Sequence, residues 1–346
     1  IMLRSGLAVA LRLGSQTAPE RLLARRHARG CPRLRASEQR RGASERADVD
    51  TSSHSGEQLL ERQLRLRRAA ARRAEEEAPR WLAALLGELA GEAALAEYLA
   101  MRHHKVHGYF ELGMAAVLAS VMRLQRDLGV RGSVAEVGVL AGASFFPLLL
   151  LTQPGEAALA MDCFAEDQGA NVDGSGYSAA VPSAAEFSRL LERSVPQDNL
   201  RQRAIILQCN SATVSPAELQ SLLPADTCGV RVFSIDGCHT AEATASDCAL
   251  AAAMTAPGGV LMLDDVFNPH WPGVSSGLMR FLQEHPSGFK PFFIGFNKVL
   301  LCRAEDHPQF LAHAAALPSH CKLAAYMGAQ VSVHRQGWLT AMYGND

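Results

Sequence analysis

Four residues with complementary chemistry lie within one stretch: Asp236, His239, Asp264 and Asp265. Carboxylates supply hard oxygen donors, and an imidazole with an ordinary pKa near ~6.5 can take a proton at neutral pH. Brought together, such groups could hold a divalent cation and remove a proton from a bound hydroxyl. Three buried carboxylates without a cation would repel one another unless their pKa values rose. Each aspartate alone is more simply read as a helix cap or turn residue. The four together favour a binding site.

The elements that must position them run from Val230 to Gly277. Apolar Val230, Val232, Phe233 and Ile235 predict a strand ending at Asp236. Ala241–Thr255 reads as helix, Pro257-Gly258-Gly259 breaks it, and Val260–Leu263 predicts a strand ending at Asp264-Asp265. Strand, helix and strand form a βαβ unit, and ligands of such units gather at the carboxyl ends of the strands. Downstream, Asn268, His270 and Trp271 stand between prolines and should wall the substrate side.

A second glycine-bearing turn follows the apolar run at Val134, which carries Glu136 and then Gly138 and Gly142 before the helix Ser144–Leu151. Glycines there allow close backbone approach to a ligand, and the helix start offers free N–H groups. Ala157–Met161 predicts another strand, ending in Asp162, a position that commonly takes ribose hydroxyls. The full G-x-G-x-x-G pattern is absent, which argues against a nicotinamide cofactor. Ala204–Gln208 is a third strand, with Asn210-Ser211 after it to meet a purine base.

With 346 residues, 48% of them hydrophobic, the chain can bury one sizeable α/β domain with appendages. A net charge of -1 argues against general nucleic-acid binding, which needs a basic face. The 8 cysteines show no C-x-x-C spacing and suit reduced core positions rather than disulfides or zinc. Ser133–Leu151 is almost free of charge, yet Glu136 and its glycines fit strand–turn–helix, so no membrane span is expected.

Residues 1–57 are arginine-rich and acid-poor, and read as a disordered basic leader resembling an organellar transit peptide. A basic tail of no targeting function is the alternative. The first reading places the chain in a mitochondrion or plastid, the second in the cytoplasm. Residues 58–129 read as a helical extension or lid, including the histidine-bearing interruption at His103–His107, and could mediate homo-oligomer assembly. Residues 130–305 form the main domain, in which Phe292–Phe296 and Lys298–Arg303 suit the last two strands, joined by a tight hairpin at Asn297. Residues 306–346 read as a helical tail.

With these pieces in order, the segment from about Lys105 to Arg303 resembles the class I S-adenosylmethionine-dependent methyltransferases. It is most similar to the metal-dependent macrocin and rhamnosyl O-methyltransferase branch, through KVHGYF, VAEVGVLAGAS, AMDCF, NVDGSG, FSIDGCHTAE and GGVLMLDDVFNPHWPGVSSG. The resemblance implies a Rossmann-like α/β fold: seven mostly parallel strands with helices on both faces, the last strand antiparallel. It implies S-adenosylmethionine held by Glu136, Gly138, Gly142, Ser144, Asp162, Asn210, Ser211 and Asp236. It further implies magnesium or manganese on Asp236, Asp264 and Asp265, with Asp236 and His239 catalytic and His239 the general base. The acceptor would be a small-molecule hydroxyl, on a sugar, polyketide or other diol. The related cephalosporin-hydroxylase-type proteins share similar motifs, so a metal-dependent hydroxylase is the competing expectation, and a non-catalytic binding module a third.

Overall fold

The computed structural model describes residues 80–170, 181–284 and 288–334. The expectations for residues 1–79 and for the chain beyond residue 334 lie outside them. Five short apolar strands run parallel: β1 (Ser133–Val137), β2 (Ala158–Asp162), β3 (Ala204–Gln208), β4 (Val230–Ile235) and β5 (Thr255–Asp264). Their spatial order is β3-β2-β1-β4-β5, so the chain reverses direction across the sheet between β1 and β4. In an open α/β sheet that switch point opens a crevice at the strand carboxyl ends. Both glycine-bearing turns deliver their residues there.

Among the described residues, the helices α1 (Ala93–Met101) and α2 (Leu112–Asp127) lie ahead of the sheet in the chain. The crossovers are α3 (Phe145–Leu150), α4 (Ala184–Ser194) with the short α5 (Asp198–Arg201), α6 (Pro216–Leu222) and α7 (Ala241–Met254). Ser183 with Glu186 and Ser215 with Glu218 form reciprocal capping boxes at the starts of α4 and α6. At α7 the cap is Thr240, whose hydroxyl accepts from the Ala243 N–H at 3.2 Å. Helix initiation therefore makes no demand on Asp236, and its carboxylate is left for other work.

Beyond α8 (Pro272–Glu284) come β6 (Phe289–Gly295) and β7 (Lys298–Arg303). Gly295 pairs with Lys298 across a two-residue turn in which Phe296 and Asn297 take φ of +51° and +61°. Asparagine tolerates that left-handed region better than most residues, so the tight hairpin forms where the sequence places it. β7 runs antiparallel to β5, with Lys298 opposite Asp264.

Among the described residues the sheet has nine strands rather than seven, in the order β3-β2-β1-β4-β5-β7-β6-β9-β8. After α9 (His307–Ala315), the chain forms β8 (His320–Tyr326) and β9 (Ala329–His334), so the helical-tail expectation holds only for α9 among the described residues. Met327 and Gly328, with φ of +45° and +76°, turn the hairpin, and β9 pairs in parallel with β6 at Phe293 and Ile294. The added hairpin covers an edge that β6 would otherwise expose.

Alternation along the strands sorts side chains onto two apolar layers. Val134, Val232, Val260, Met262 and Leu300 pack in one layer, and Ala135, Val137, Phe233, Leu261 and Leu301 in the other. The same period puts Glu136, Ser234, Asp264 and Lys298 on the first face, one per strand. Among the described residues, no helix is long and apolar enough to cross a membrane.

Candidate active site

A cavity of about 610 Å³ lies over the carboxyl ends of β1, β2, β4 and β5. Gly138, Leu140, Ser144 and Asp162 wall one end, with Asn210 and Ser211 beside them. Asp236, His239, Asp264 and Asp265 form the floor of the other end. The segment His107–Glu111 and the loop residues Asn268, His270 and Trp271 complete the wall, as expected of a substrate-side loop.

Asp162 anchors the first turn. Its two oxygens accept from the Leu140 N–H at 2.9 Å and the Phe164 N–H at 2.8 Å. Burial raises its pKa, while those hydrogen bonds favour the charged form. Asn210 accepts from the Ala212 N–H at 3.0 Å and so shapes its own turn. Ser211 bonds Asp247, a buried carboxyl on α7 that sequence reading passed over. A Cβ on Gly237 would stand 2.8 Å from the Asp247 Oδ2, so this one side chain supports both the 211 loop and the turn carrying His239. Its pKa is pushed up to about 6 by burial.

At the other end, Asp236, His239 and Asp265 can each turn one ligand atom toward a common point, all within 4.8 Å of one another. His239 Nε2 lies 3.3 Å from Asp265 Oδ2 and 3.6 Å from Asp236 Oδ1. The imidazole stacks on Trp271, with ring centroids 4.6 Å apart and planes 17° from parallel, which fixes its plane. Burial works to raise the Asp265 pKa, but hydrogen bonds from His239, Asn268 and Asn297 outweigh it and hold the carboxyl below its ordinary range. Two carboxylates beside an open cavity fit a divalent cation with room for ligand oxygens, and the imidazole stands next to them.

Asp264 does not join that group. It is buried, and its Oδ2 pairs with the Lys298 ammonium. Its Oδ1 accepts from the Asp265 N–H at 2.8 Å and Asn297 Nδ2 at 2.9 Å. The three-aspartate set expected from sequence is thus divided, and His239 rather than Asp264 faces Asp236 and Asp265. Lys298 and Asn297 were not foreseen as site residues. The signal for Lys298 was a lysine at the first position of an apolar run, which is hard to bury without a carboxylate partner.

Two further expected residues stand behind the cavity wall. A Cβ at Gly142 would meet the Phe146 ring at 2.5 Å, so this glycine serves helix packing. Glu136 is fully buried and accepts from the Ser144 hydroxyl at 2.7 Å and the Ser234 hydroxyl at 2.8 Å. It acts on the cavity through Ser144. Burial pushes its pKa up to about 7, against the two hydroxyl donors.

That shift has a sign. Folded protein keeps the Glu136 proton from about pH 4.5 to about 7, where the unfolded chain has released it. Stability should therefore fall as pH rises through the window, by roughly 3 kcal/mol, and stay lowered above it. Glu136→Gln removes this loss, so the variant should gain on wild type between about pH 5 and about pH 8 in urea unfolding. A difference that is the same at both pH values would show that the buried carboxyl ionises normally.

Residues 135–266 match the family described as a methyltransferase domain. No curated protein matches the chain. Solved structures with similarity include the O-methyltransferase NovP, 14% identical over 57% of this chain and 83% of its own, with a TM-score of 0.44. CalS11, a calicheamicin methyltransferase, is 18% identical over 56% of this chain and 80% of its own, with a TM-score of 0.43. An O-methyltransferase from Bacillus cereus in complex with SAH is 13% identical over 60% of this chain and 89% of its own, with a TM-score of 0.38.

Proposed function

We propose that this chain, whose residues 135–266 match the methyltransferase-domain family, methylates a hydroxyl of a small molecule with S-adenosylmethionine, assisted by magnesium or manganese. One observation supports the reading above all. The crevice at the β1/β4 switch point joins a glycine turn and Asp162 at one end to a carboxylate–imidazole–carboxylate group at the other. When bound, the sulfonium supplies an electrophilic methyl group and the cation supplies Lewis acidity to the acceptor oxygen.

The chain's own residues do the rest. Asp162, held by two backbone N–H groups, would accept ribose hydroxyls. Asn210 and Ser211, which line the same end of the cavity, would meet the base. Asp236 and Asp265 would hold the cation, and His239, left out of its coordination, would take the acceptor proton. Trp271 keeps the imidazole plane fixed for that transfer. Tyr109 and Phe110 line the cavity from the N-terminal segment and narrow the access of water. An iron-dependent hydroxylase is less well matched, because such sites usually offer two imidazoles and one carboxylate.

Calorimetric titration of S-adenosylmethionine and S-adenosylhomocysteine, with magnesium and then with EDTA, tests the reading. Both nucleosides should bind, and Asp162→Ala should weaken each by about tenfold or more through loss of charge-assisted hydrogen bonds. A screen of diols for methyl transfer follows from a positive result. Absence of binding in both conditions would sink the proposal.

A further inference from the structure

We infer that Lys298 is a resident counter-ion that withholds Asp264 from the cation, leaving Asp236 and Asp265 as the carboxylates that bind it among the described residues. The inference rests on the metal-assisted reading above and departs from the three-aspartate set that the family resemblance implies.

Lys298 is 3% exposed, and the β5–β7 register places it directly opposite Asp264. Side chains at such positions share one face of the sheet, so the pairing follows from strand register rather than from a chance rotamer. Its ammonium pairs with Asp264 Oδ2 and sits 5.7 Å from the centre of the Phe110 ring. The other carboxylate oxygen is engaged by the Asp265 N–H and by Asn297. Asn297 also donates to Asp265 Oδ1 at 2.5 Å, so one amide sets the spacing of the two neighbouring aspartates. Recruiting Asp264 to a cation would leave a buried ammonium without its partner, which is strongly unfavourable.

The consequence is a carboxylate floor assembled before any cation arrives. Asp236, Asp264 and Asp265 bring three acidic groups to one sheet edge, and a buried lysine offsets part of their repulsion. The cation then meets two carboxylates instead of three, and its affinity is correspondingly modest.

Mn2+ binding to the full chain, followed by electron paramagnetic resonance of the free ion, tests this without reference to turnover. Asp236→Asn should weaken Mn2+ binding about tenfold or more, whereas the double variant Asp264→Asn/Lys298→Met should stay within about threefold of wild type. The double variant removes both charges of the buried pair, so it leaves neither one uncompensated. Lys298→Met alone frees Asp264 and should tighten Mn2+ binding by about tenfold, with melting that becomes dependent on Mn2+. Loss of Mn2+ by the double variant, to the extent seen with Asp236→Asn, would overturn the inference while leaving the metal-assisted reading intact. If wild type binds no Mn2+ and Lys298→Met does, the metal-assisted reading falls and the withholding role of Lys298 stands. If neither binds, both fall.

Discussion

Asparagine in place of Asp265 is expected to lower methyl transfer by about a hundred- to a thousand-fold while leaving the protein folded. The position is unusual, since Asp265 has a φ of +57° just past the end of β5. Asparagine adopts that left-handed conformation readily, and its carbonyl oxygen can still accept from Asn268 and Asn297. What changes is the charge, together with the atom facing His239 at 3.3 Å. Alanine would remove both hydrogen bonds and add roughly 1–2 kcal/mol of left-handed strain. The pair of variants therefore separates electrostatics from scaffolding. Asp265→Asn should melt near wild type but lose Mn2+ affinity and turnover together. Asp265→Ala should lose stability as well. Turnover by Asp265→Asn that remained near wild type and was still abolished by EDTA would remove Asp265 from the cation site.

Much of this architecture is legible in the sequence because its parallel strands are short apolar runs ended by turn residues. Val230–Ile235 ends at Asp236 as the pattern requires, and the β6–β7 hairpin turns at Asn297. Gathering Asp236, His239 and Asp265 needed only the rule that parallel strands present their carboxyl ends to one crevice. The fate of Asp264 was not legible. Its partner lies on an antiparallel strand, and only the Asp264–Lys298 register brings the two together. A shift of one residue would have turned the lysine to the opposite face. Glu136 misled for a related reason, since alternation along β1 turns it into the layer behind the cavity rather than into it. The β8–β9 hairpin escaped because its outer strand is largely exposed and lacks an apolar run. Its one local signal was Gly328 in a two-residue turn.

Alanine at Gly138 is expected to destabilise the fold by about 3 kcal/mol or more and to cost most of the activity. Sequence reading explains this glycine by close approach to a ligand, but the nearest obstacle is protein backbone. A Cβ there would stand 1.9 Å from the Asp236 carbonyl oxygen, and the residue has a φ of +80°. Neither strand can retreat easily. The Gly138 N–H donates to the Met161 carbonyl at 2.8 Å, and the Asp236 N–H donates to the Val137 carbonyl at 3.0 Å. Relief must come from moving the 236–239 turn, which carries both the proposed cation ligand Asp236 and the proposed proton acceptor His239. Displacement there by about 1 Å can cost about a hundredfold in rate. Gly155 supplies the control, because its φ is +87° but a Cβ would meet nothing within 4 Å. Gly155→Ala should thus show only the left-handed penalty, about 1 kcal/mol, with Mn2+ binding unchanged. Equal melting temperatures for the two variants would mean that the β1 and β4 turns part without strain. The glycine would then be there for the ligand after all.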